Sequence, residues 1–207
     1  MRWVALTFLV AGCTFGAKYY LVDTMLPNGD PPASGFWVPY SQRGVILTVP
    51  GLDVRVSGDA EHIAQWFSPW PLPPIIPVPS YRWDHPANAT VTLTVQPHRT
   101  GWTLLPSRSR LRPAGGAPVP PSSWSGPVTF ESLRGAPRSW KPPATHEASE
   151  PVIIEADSLV HLEFPTQSPL EATAELQLAG LLLDGREVEL PAVGLAPRYE
   201  EHGATIP

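Results

Sequence analysis

Polar and apolar residues alternate with a period of two residues along much of this chain. In residues 90–96 (TVTLTVQ) the odd positions are apolar and the even positions are polar, and residues 160–164 and 172–178 alternate in the same way. Successive side chains of a β-strand point to opposite faces of its sheet, so this period predicts strands with one buried face and one solvated face. Six shorter segments also have a strand-like composition: residues 18–22, 44–50, 52–56, 101–105, 127–133 and 152–155. Residues 59–67 alone favour a helical turn or two.

The clearest local signal lies in residues 181–190, LLLDGREVEL. Asp184 and Gly185 separate two strand-like runs, and a two-residue type I′ turn needs positive φ at both of its central residues, which favours Asp-Gly. Many short strands with turn signals between them are typical of an antiparallel β-sandwich. We therefore expect an all-β chain that is immunoglobulin-like in its general architecture.

Two stretches rich in proline, glycine and serine interrupt the alternation, at about residues 106–127 and 135–150. We expect both to be long irregular loops, since a stretch beyond ~12 to 15 residues without regular structure is usually functional or disordered. The chain has 28 prolines, which oppose long helices, but its hydrophobic content of 43% is that of a globular protein. These properties predict a single β-sandwich domain over residues 17–207.

The first thirteen residues, MRWVALTFLVAGC, combine one basic residue, an apolar run and small residues before the only cysteine of the chain. This leader resembles a bacterial lipoprotein signal peptide, in which residues 10–13 (VAGC) match the lipobox. The resemblance implies cleavage after residue 12, lipid attachment to Cys13, and a short tether over residues 13–16. Thr14 stands where lipoproteins of the inner membrane typically carry Asp, which implies the periplasmic face of the outer membrane if the organism has two membranes.

Two other interpretations of the leader remain open: a short transmembrane anchor, or a buried strand that happens to contain a cysteine. The apolar run from residue 3 to residue 15 is shorter than the ~20 residues that a bilayer-spanning helix needs. We therefore favour the lipoprotein interpretation of the leader.

Residues 66–81, WFSPWPLPPIIPVPSY, contain six prolines and no charge. Proline lacks the amide donor of a sheet ladder, so we expect an extended or edge-like segment and not a central strand. Three roles are open: packing at one end of the sandwich, insertion into the bilayer interface, or a binding platform for a glycan or peptide. The aromatic candidates for that platform are Trp66, Phe67, Trp70, Tyr81 and Trp83.

Charge is unevenly distributed along the chain. Residues 97–141 hold seven basic residues and one acidic residue, whereas residues 142–207 hold twelve acidic and two basic residues. One interpretation is that the basic loops lie over an acidic sheet and the charges screen each other. The other is that Arg108, Arg110 and Arg112 bind phosphate on lipid headgroups or lipopolysaccharide, since arginine suits bidentate phosphate contacts. Nucleic acid is not expected as a partner outside the cytoplasm.

The sequence contains no motif that identifies a catalytic centre. No Gly-x-Ser-x-Gly elbow, glycine-rich phosphate loop or His-Glu-x-x-His helix is present. Asp84 and His85, together with His98, are the one combination that could form a metal or acid–base site. We expect no cofactor and no metal.

The function that we expect is therefore a non-catalytic binding or scaffolding role at the membrane surface, with a lipid anchor and an envelope protein or glycan as partner. An envelope hydrolase acting on cell-wall or lipid substrates is one alternative. An accessory protein in outer-membrane assembly or export is another.

Overall fold

The computed structural model describes the backbone of residues 13–26, 44–58, 60–69, 76–77, 88–129, 143–166 and 173–206. Side chains are described for residues 22–26, 44–58, 88–129, 143–166 and 173–197. Within these ranges the chain forms β-strands and one 3₁₀ turn, Pro106–Arg108, and no α-helix. The strands are β1 (Cys13–Met25), β2 (Val45–Val49), β3 (Leu52–Gly58), β4 (Ala60–Pro69), β5 (Ile76–Pro77), β6 (Ala89–Pro97), β7 (Trp102–Leu104), β8 (Arg110–Pro113), β9 (Ser123–Thr129), β10 (Thr145–Glu147), β11 (Val152–Ile154), β12 (Ser158–Phe164), β13 (Ala174–Gln177), β14 (Leu181–Leu183), β15 (Arg186–Glu187) and β16 (Val193–Ile206).

The strands form three sheets. Sheet 1 has the order β5-β4-β1-β16-β13-β8, sheet 2 has the order β10-β9-β12-β6-β3-β2, and sheet 3 has the order β11-β7-β14-β15. Each strand pair whose register is described is antiparallel. The predicted all-β class with antiparallel sheets, compatible with a β-sandwich, is confirmed.

The chain forms two compact units. The larger unit comprises residues 21–60 and 85–198, and it contains every residue whose side chain is described. The smaller unit comprises residues 1–20, 61–84 and 199–207, and its described backbone consists of strand segments. The single domain over residues 17–207 stays a prediction.

Alternate burial along each strand builds the core of the larger unit. In β12, Val160, Leu162 and Phe164 are buried, whereas His161 and Glu163 between them are only partly buried. The same alternation holds for β13 and for the first five residues of β3, as expected for strands with one face against a core. The buried apolar side chains of the larger unit include residues from all three sheets: Leu52, Val54, Val56, Val91, Leu93, Val95, Trp102, Leu104, Leu111, Trp124, Val152, Ile154, Val160, Leu162, Phe164, Leu176, Leu181, Val193 and Leu195.

The hairpin predicted around Asp184 and Gly185 is confirmed. The two residues have φ of 50° and 78°, which is the positive pair that a type I′ turn requires. Leu183 pairs with Arg186 across the turn. The hairpin is shorter than the sequence suggested, because its second strand ends at Glu187.

The prediction of an irregular loop over residues 106–127 is wrong for two segments. Arg110–Pro113 forms β8, and Ser123–Thr129 forms β9. Leu111 and Trp124 explain why these segments are strands, since both side chains are buried although proline and serine dominate the local composition. The strand predicted at residues 127–133 accordingly begins earlier, and residues 130–133 lie outside the described part of the chain.

The second predicted loop, residues 135–150, also contains a strand. Thr145–Glu147 forms β10, which pairs with β9, while residues 135–142 are outside the described chain. Trp124 holds this pairing together, because its ring stacks on His146 at a centroid distance of 4.3 Å and its Nε1 donates to the Glu150 carbonyl oxygen at 3.1 Å.

The helical turn predicted within residues 59–67 is also wrong. Ala60–Pro69 forms β4, which lies between β5 and β1 in sheet 1. A local tendency to form a short helix is weak, and strand pairing in a sheet overrides it.

His161 provides a pH-dependent contribution to stability that can be measured. Its Nδ1 lies 2.9 Å from the Thr92 hydroxyl, and burial lowers the pKa of His161 below the ordinary value of 6.5, partly opposed by Glu163. The unfolded chain therefore binds this proton more readily than the folded chain, so the free energy of unfolding falls as the pH decreases below about 6.5.

We expect the free energy of unfolding of the wild type to fall, relative to that of His161→Gln, as the pH is lowered from 8 through 6. The measurement is chemical denaturation of both proteins at several pH values across this window. Parallel pH profiles for the two proteins would contradict the assignment.

Candidate functional site

The outer face of sheet 1 carries a row of aligned residues on three adjacent strands. Arg112 on β8 is the register partner of Glu175 on β13, and Glu175 is the register partner of Gly194 on β16. The next row, which contains Leu111 and Leu176, is buried. Since neighbouring residues of a strand point to opposite faces, Arg112 and Glu175 project outward, and both are exposed.

A groove of about 350 Å³ lies along this row. Met25 and Leu26 at the end of β1 line it together with Arg112, Glu175 and Gly194. Gly194 allows the Met25 side chain to lie close to β16, because a Cβ atom at this position would lie only 2.9 Å from Met25 Cγ. This volume is within the range of small-molecule sites.

A tight turn after β8 forms the rim of the groove. The Gly116 N–H donates to the Pro113 carbonyl oxygen at 2.9 Å, and Gly115 has a φ of +72°, which glycine adopts without strain. The Ala114 N–H donates to the Thr173 carbonyl oxygen at 2.8 Å. These hydrogen bonds fix the turn beside the start of β13, so the rim is part of the folded sheet.

Arg112 and Glu175 are opposite each other in register but make no ion pair or hydrogen bond within the described part of the chain. Their charged groups are therefore both available at one groove. Chemically, the guanidinium can bind an oxyanion bidentately and the carboxylate can accept hydrogen bonds from a cationic group.

The other two arginines of the predicted basic site are engaged with the protein itself. Arg108 donates to a Glu187 carboxylate oxygen at 3.0 Å, and the same carboxylate accepts the Gly180 N–H at 3.0 Å. Arg110 donates to the carbonyl oxygens of Ser107 and Ser109. Arg108 thus behaves as the interpretation of mutually screened charges predicts, whereas Arg112 has no hydrogen-bond or ion-pair partner among the residues that the structure describes.

Arg99 gives a second example of this screening. It donates to Asp184 at 2.9 Å, and both side chains are more than half exposed. Pairs with such exposure contribute little to stability, so they neutralise surface charge without holding the fold together.

The structure describes only part of the predicted aromatic platform. Trp66 and Phe67 belong to β4, where they pair with Pro77 and Ile76 of β5, and their side chains are not among those described. The prediction that residues 66–81 contain no central strand is wrong at this end, because β4 lies inside sheet 1. The prediction fails because the prolines begin only at residue 69, so the preceding residues of β4 keep their amide donors.

The remaining predicted site residues stay predictions. Trp70, Tyr81 and Trp83 lie outside the described residues. Ile76–Pro77 forms the edge strand β5, as expected for a proline-containing strand. Cys13 is the first residue of β1, so residues 13–16 belong to a strand and not to the predicted tether.

The proposed metal or acid–base site cannot be assembled from the described residues. Asp84 and His85 are outside them, while His98 Nε2 lies 3.0 Å from Asp53. The hydrogen bond from His98, together with one from Thr48, lowers the pKa of Asp53. No group of three His, Cys, Asp or Glu side chains that could hold a metal ion occurs in the part of the chain that the structure describes.

Comparisons with known proteins return no matching family model, no matching curated protein and no matching solved structure. Among the described residues, no helix has the length and apolar character needed to cross a membrane. The residues of the groove must therefore be interpreted from their own geometry.

Sequence reasoning found Arg112 but missed Glu175, Gly194 and Met25 as its neighbours. The alternation of residues 172–178 does place Glu175 on the polar face of a strand. The sequence contains no signal that β13 lies between β8 and β16, because that arrangement brings together segments far apart along the chain.

The absence of an ion pair between Arg112 and Glu175 predicts a small coupling energy. In a double-mutant cycle of Arg112→Gln and Glu175→Gln we expect stability effects that add, whereas the cycle of Arg108→Gln and Glu187→Gln should give about 0.2 to 1 kcal/mol, as is typical of exposed pairs. Chemical denaturation measures both cycles. A larger coupling for the first pair than for the second would show that the groove charges neutralise each other.

Proposed function

We propose that this protein is a lipid-anchored cell-envelope protein with a non-catalytic binding or scaffolding role at the membrane surface. The observation that carries the proposal is the lipobox match at residues 10–13, followed directly by a folded strand that begins at Cys13. An acylated cysteine at the start of a strand leaves no flexible tether. The folded chain would therefore lie against the bilayer surface.

The groove on sheet 1 supports a binding role of defined chemistry. Arg112 is the one arginine of the predicted basic site whose guanidinium is not engaged by the described part of the chain. Guanidinium suits phosphate, and the Glu175 carboxylate beside it suits an ammonium group. A zwitterionic lipid headgroup carries both groups, so we propose phosphate-bearing headgroups as the ligand of this groove.

The first experiment tests the anchor. In cells of the source organism we expect the wild type to fractionate with membranes and to incorporate an alkyne fatty-acid analogue, and Cys13→Ala to do neither, because only the cysteine thiol can form the thioether. Thr14→Ala serves as the matched control and should keep the label.

An N-terminal peptide that begins at Met1 without modification would contradict lipidation. So would unchanged membrane association of Cys13→Ala together with absence of label in the wild type. Either result would favour one of the other two interpretations of the leader.

The second experiment tests the groove. A photo-crosslinking amino acid at Thr173, on the exposed rim, should capture phospholipid in intact cells, whereas the same probe at the exposed Thr145 of β10 should not. Arg112→Gln should lower the yield at position 173 up to about fivefold, since an exposed ion pair such as the one between the guanidinium and the phosphate contributes up to about 1 kcal/mol. Arg186→Gln, which removes an exposed arginine on β15, is the matched control.

Equal lipid capture from positions 173 and 145 would mean that the groove is not the contact. A yield at position 173 that is insensitive to Arg112→Gln would exclude the guanidinium as the phosphate ligand. A recurring protein or glycan adduct at position 173 would keep the binding role and replace the headgroup as ligand.

A further inference from the structure

Strand β2 forms an open edge of sheet 2. It pairs with β3 on one side only, in a hairpin that closes at Val49 and Leu52. The Val45 N–H points toward β3, because it donates at 2.9 Å to a Thr24 hydroxyl that itself donates to the Val56 carbonyl oxygen at 3.2 Å. Main-chain groups of a strand alternate in direction, so those of Ile46 and Thr48 point away from the sheet.

The outward main-chain groups of Ile46 and Thr48 have no hydrogen-bond partner within the described chain. The side chain of Ile46 is 50% exposed, one of two large apolar side chains that the described surface leaves this open. No charge or proline interrupts Val45–Val49. Natural proteins use such residues to block strand addition, and this edge lacks them.

The other sheet edges in the described chain are blocked or short, and β5 at the edge of sheet 1 has only two residues, one of them a proline. On β8, Leu111 exchanges two main-chain hydrogen bonds with Val119, at 2.9 and 2.8 Å. On β10, the Glu147 N–H lies 3.3 Å from a Glu150 carboxylate oxygen. Strand β15 consists of two charged residues, and β11 is only three residues long. The open hydrogen-bonding edge is thus concentrated on β2.

We propose that β2 pairs with β2 of a second copy of this chain, antiparallel and centred on Leu47. In this register, Ile46 of one copy lies opposite Thr48 of the other. Across the two copies, the outward N–H and C=O groups of these two residues then form four intermolecular hydrogen bonds. Every outward main-chain group of Ile46 and Thr48 is paired in this arrangement. The pairing is a closed two-fold contact, which is the commonest symmetry of homo-oligomers.

Self-complementarity favours a second copy over an unrelated strand. The two Ile46 side chains lie diagonally across the new strand pair, where each covers apolar surface of the other. Because β2 carries no charge, pairing with itself brings no like charges into opposition. A strand of an unrelated protein, such as an assembly partner, would find the same main-chain donors and acceptors. Nothing on β2, however, specifies which side chains such a strand should place opposite Ile46 and Thr48.

The contact is small, and the dimer is accordingly weak. A five-residue edge buries much less than the ~1,200 to 2,000 Å² of a stable interface. Dimerisation should therefore depend strongly on protein concentration from the micromolar to the millimolar range.

The test measures the dissociation constant of the full-length protein in detergent by light scattering over that range. Ile46→Pro removes one outward N–H from each copy, and hence two of the four hydrogen bonds, so we expect the dissociation constant to rise on the order of 30-fold. Ile46→Lys, which introduces a charge at the same edge, should weaken the dimer in the same direction. Ile153→Lys is the matched control, because Ile153 on β11 is 60% exposed and lies outside the proposed contact.

A crosslink adds a readout of register that does not depend on stability. In a Cys13→Ala background, which removes the native thiol, a short bismaleimide should link Ile46→Cys into a dimer and should leave Ile153→Cys monomeric. A wild type that stays monomeric throughout the range would overturn the proposal, and so would an Ile46→Pro variant that is folded and dimerises as the wild type does. Dimerisation lost equally in Ile153→Lys would place the contact elsewhere.

Discussion

Burial of every second residue against the core is the constraint on which the rest of this structure depends. Leu111, Leu176 and Val193 occupy one row across three strands of sheet 1, and all three are fully buried. Once that row faces inward, the adjacent row of Arg112, Glu175 and Gly194 must face outward, because a strand has a period of two. The groove is therefore a consequence of core packing. A shift of the register by one residue would bury the two charges and expose the leucines, which is energetically prohibited.

The second constraint is that main-chain donors and acceptors need hydrogen-bond partners. At both ends of the β2–β3 hairpin, side chains supply these partners. The Thr24 hydroxyl bridges the Val45 N–H and the Val56 carbonyl oxygen, and Trp102 Nε1 donates at 3.0 Å to the Gly51 carbonyl oxygen in the turn between β2 and β3. These contacts complete the ends of the β2–β3 hairpin. They leave its long outer edge open, since the outward main-chain groups of Ile46 and Thr48 have no hydrogen-bond partner within the described chain.

The sequence predicted the strands whose alternation is regular and failed where composition concealed it. Residues 90–96, 160–164 and 172–178 contain β6, β12 and β13, because their polar and apolar residue types alternate. Burial follows this alternation in β12 and β13, whereas in β6 the predicted solvated face is wrong, because Thr92 and Thr94 are buried as well. In Arg110–Pro113 the alternation of polar and apolar residues consists of a single leucine between two arginines. An alternation this short cannot be recognised among the surrounding prolines and serines. Strand order could not be predicted at all, because pairing between distant segments depends on the packing of the whole sheet, which no local pattern encodes.

The local backbone also explains why Arg112 has no partner in the described chain, whereas Arg108 and Arg110 both have partners. Arg108 is the last residue of the 3₁₀ turn, where it reaches Glu187, which also accepts the Gly180 N–H. Arg110, at the beginning of β8, folds back onto the carbonyl oxygens that the turn leaves free. Arg112 lies beyond the reach of both, on a regular strand whose outward neighbours are Glu175 and, one strand further, a glycine. Charge density along the chain did not show which guanidinium groups are available, because Glu187 engages Arg108 and the local backbone engages Arg110. What distinguishes the third is its position in the groove that Met25 lines, where Gly194 allows the Met25 side chain to lie close to β16.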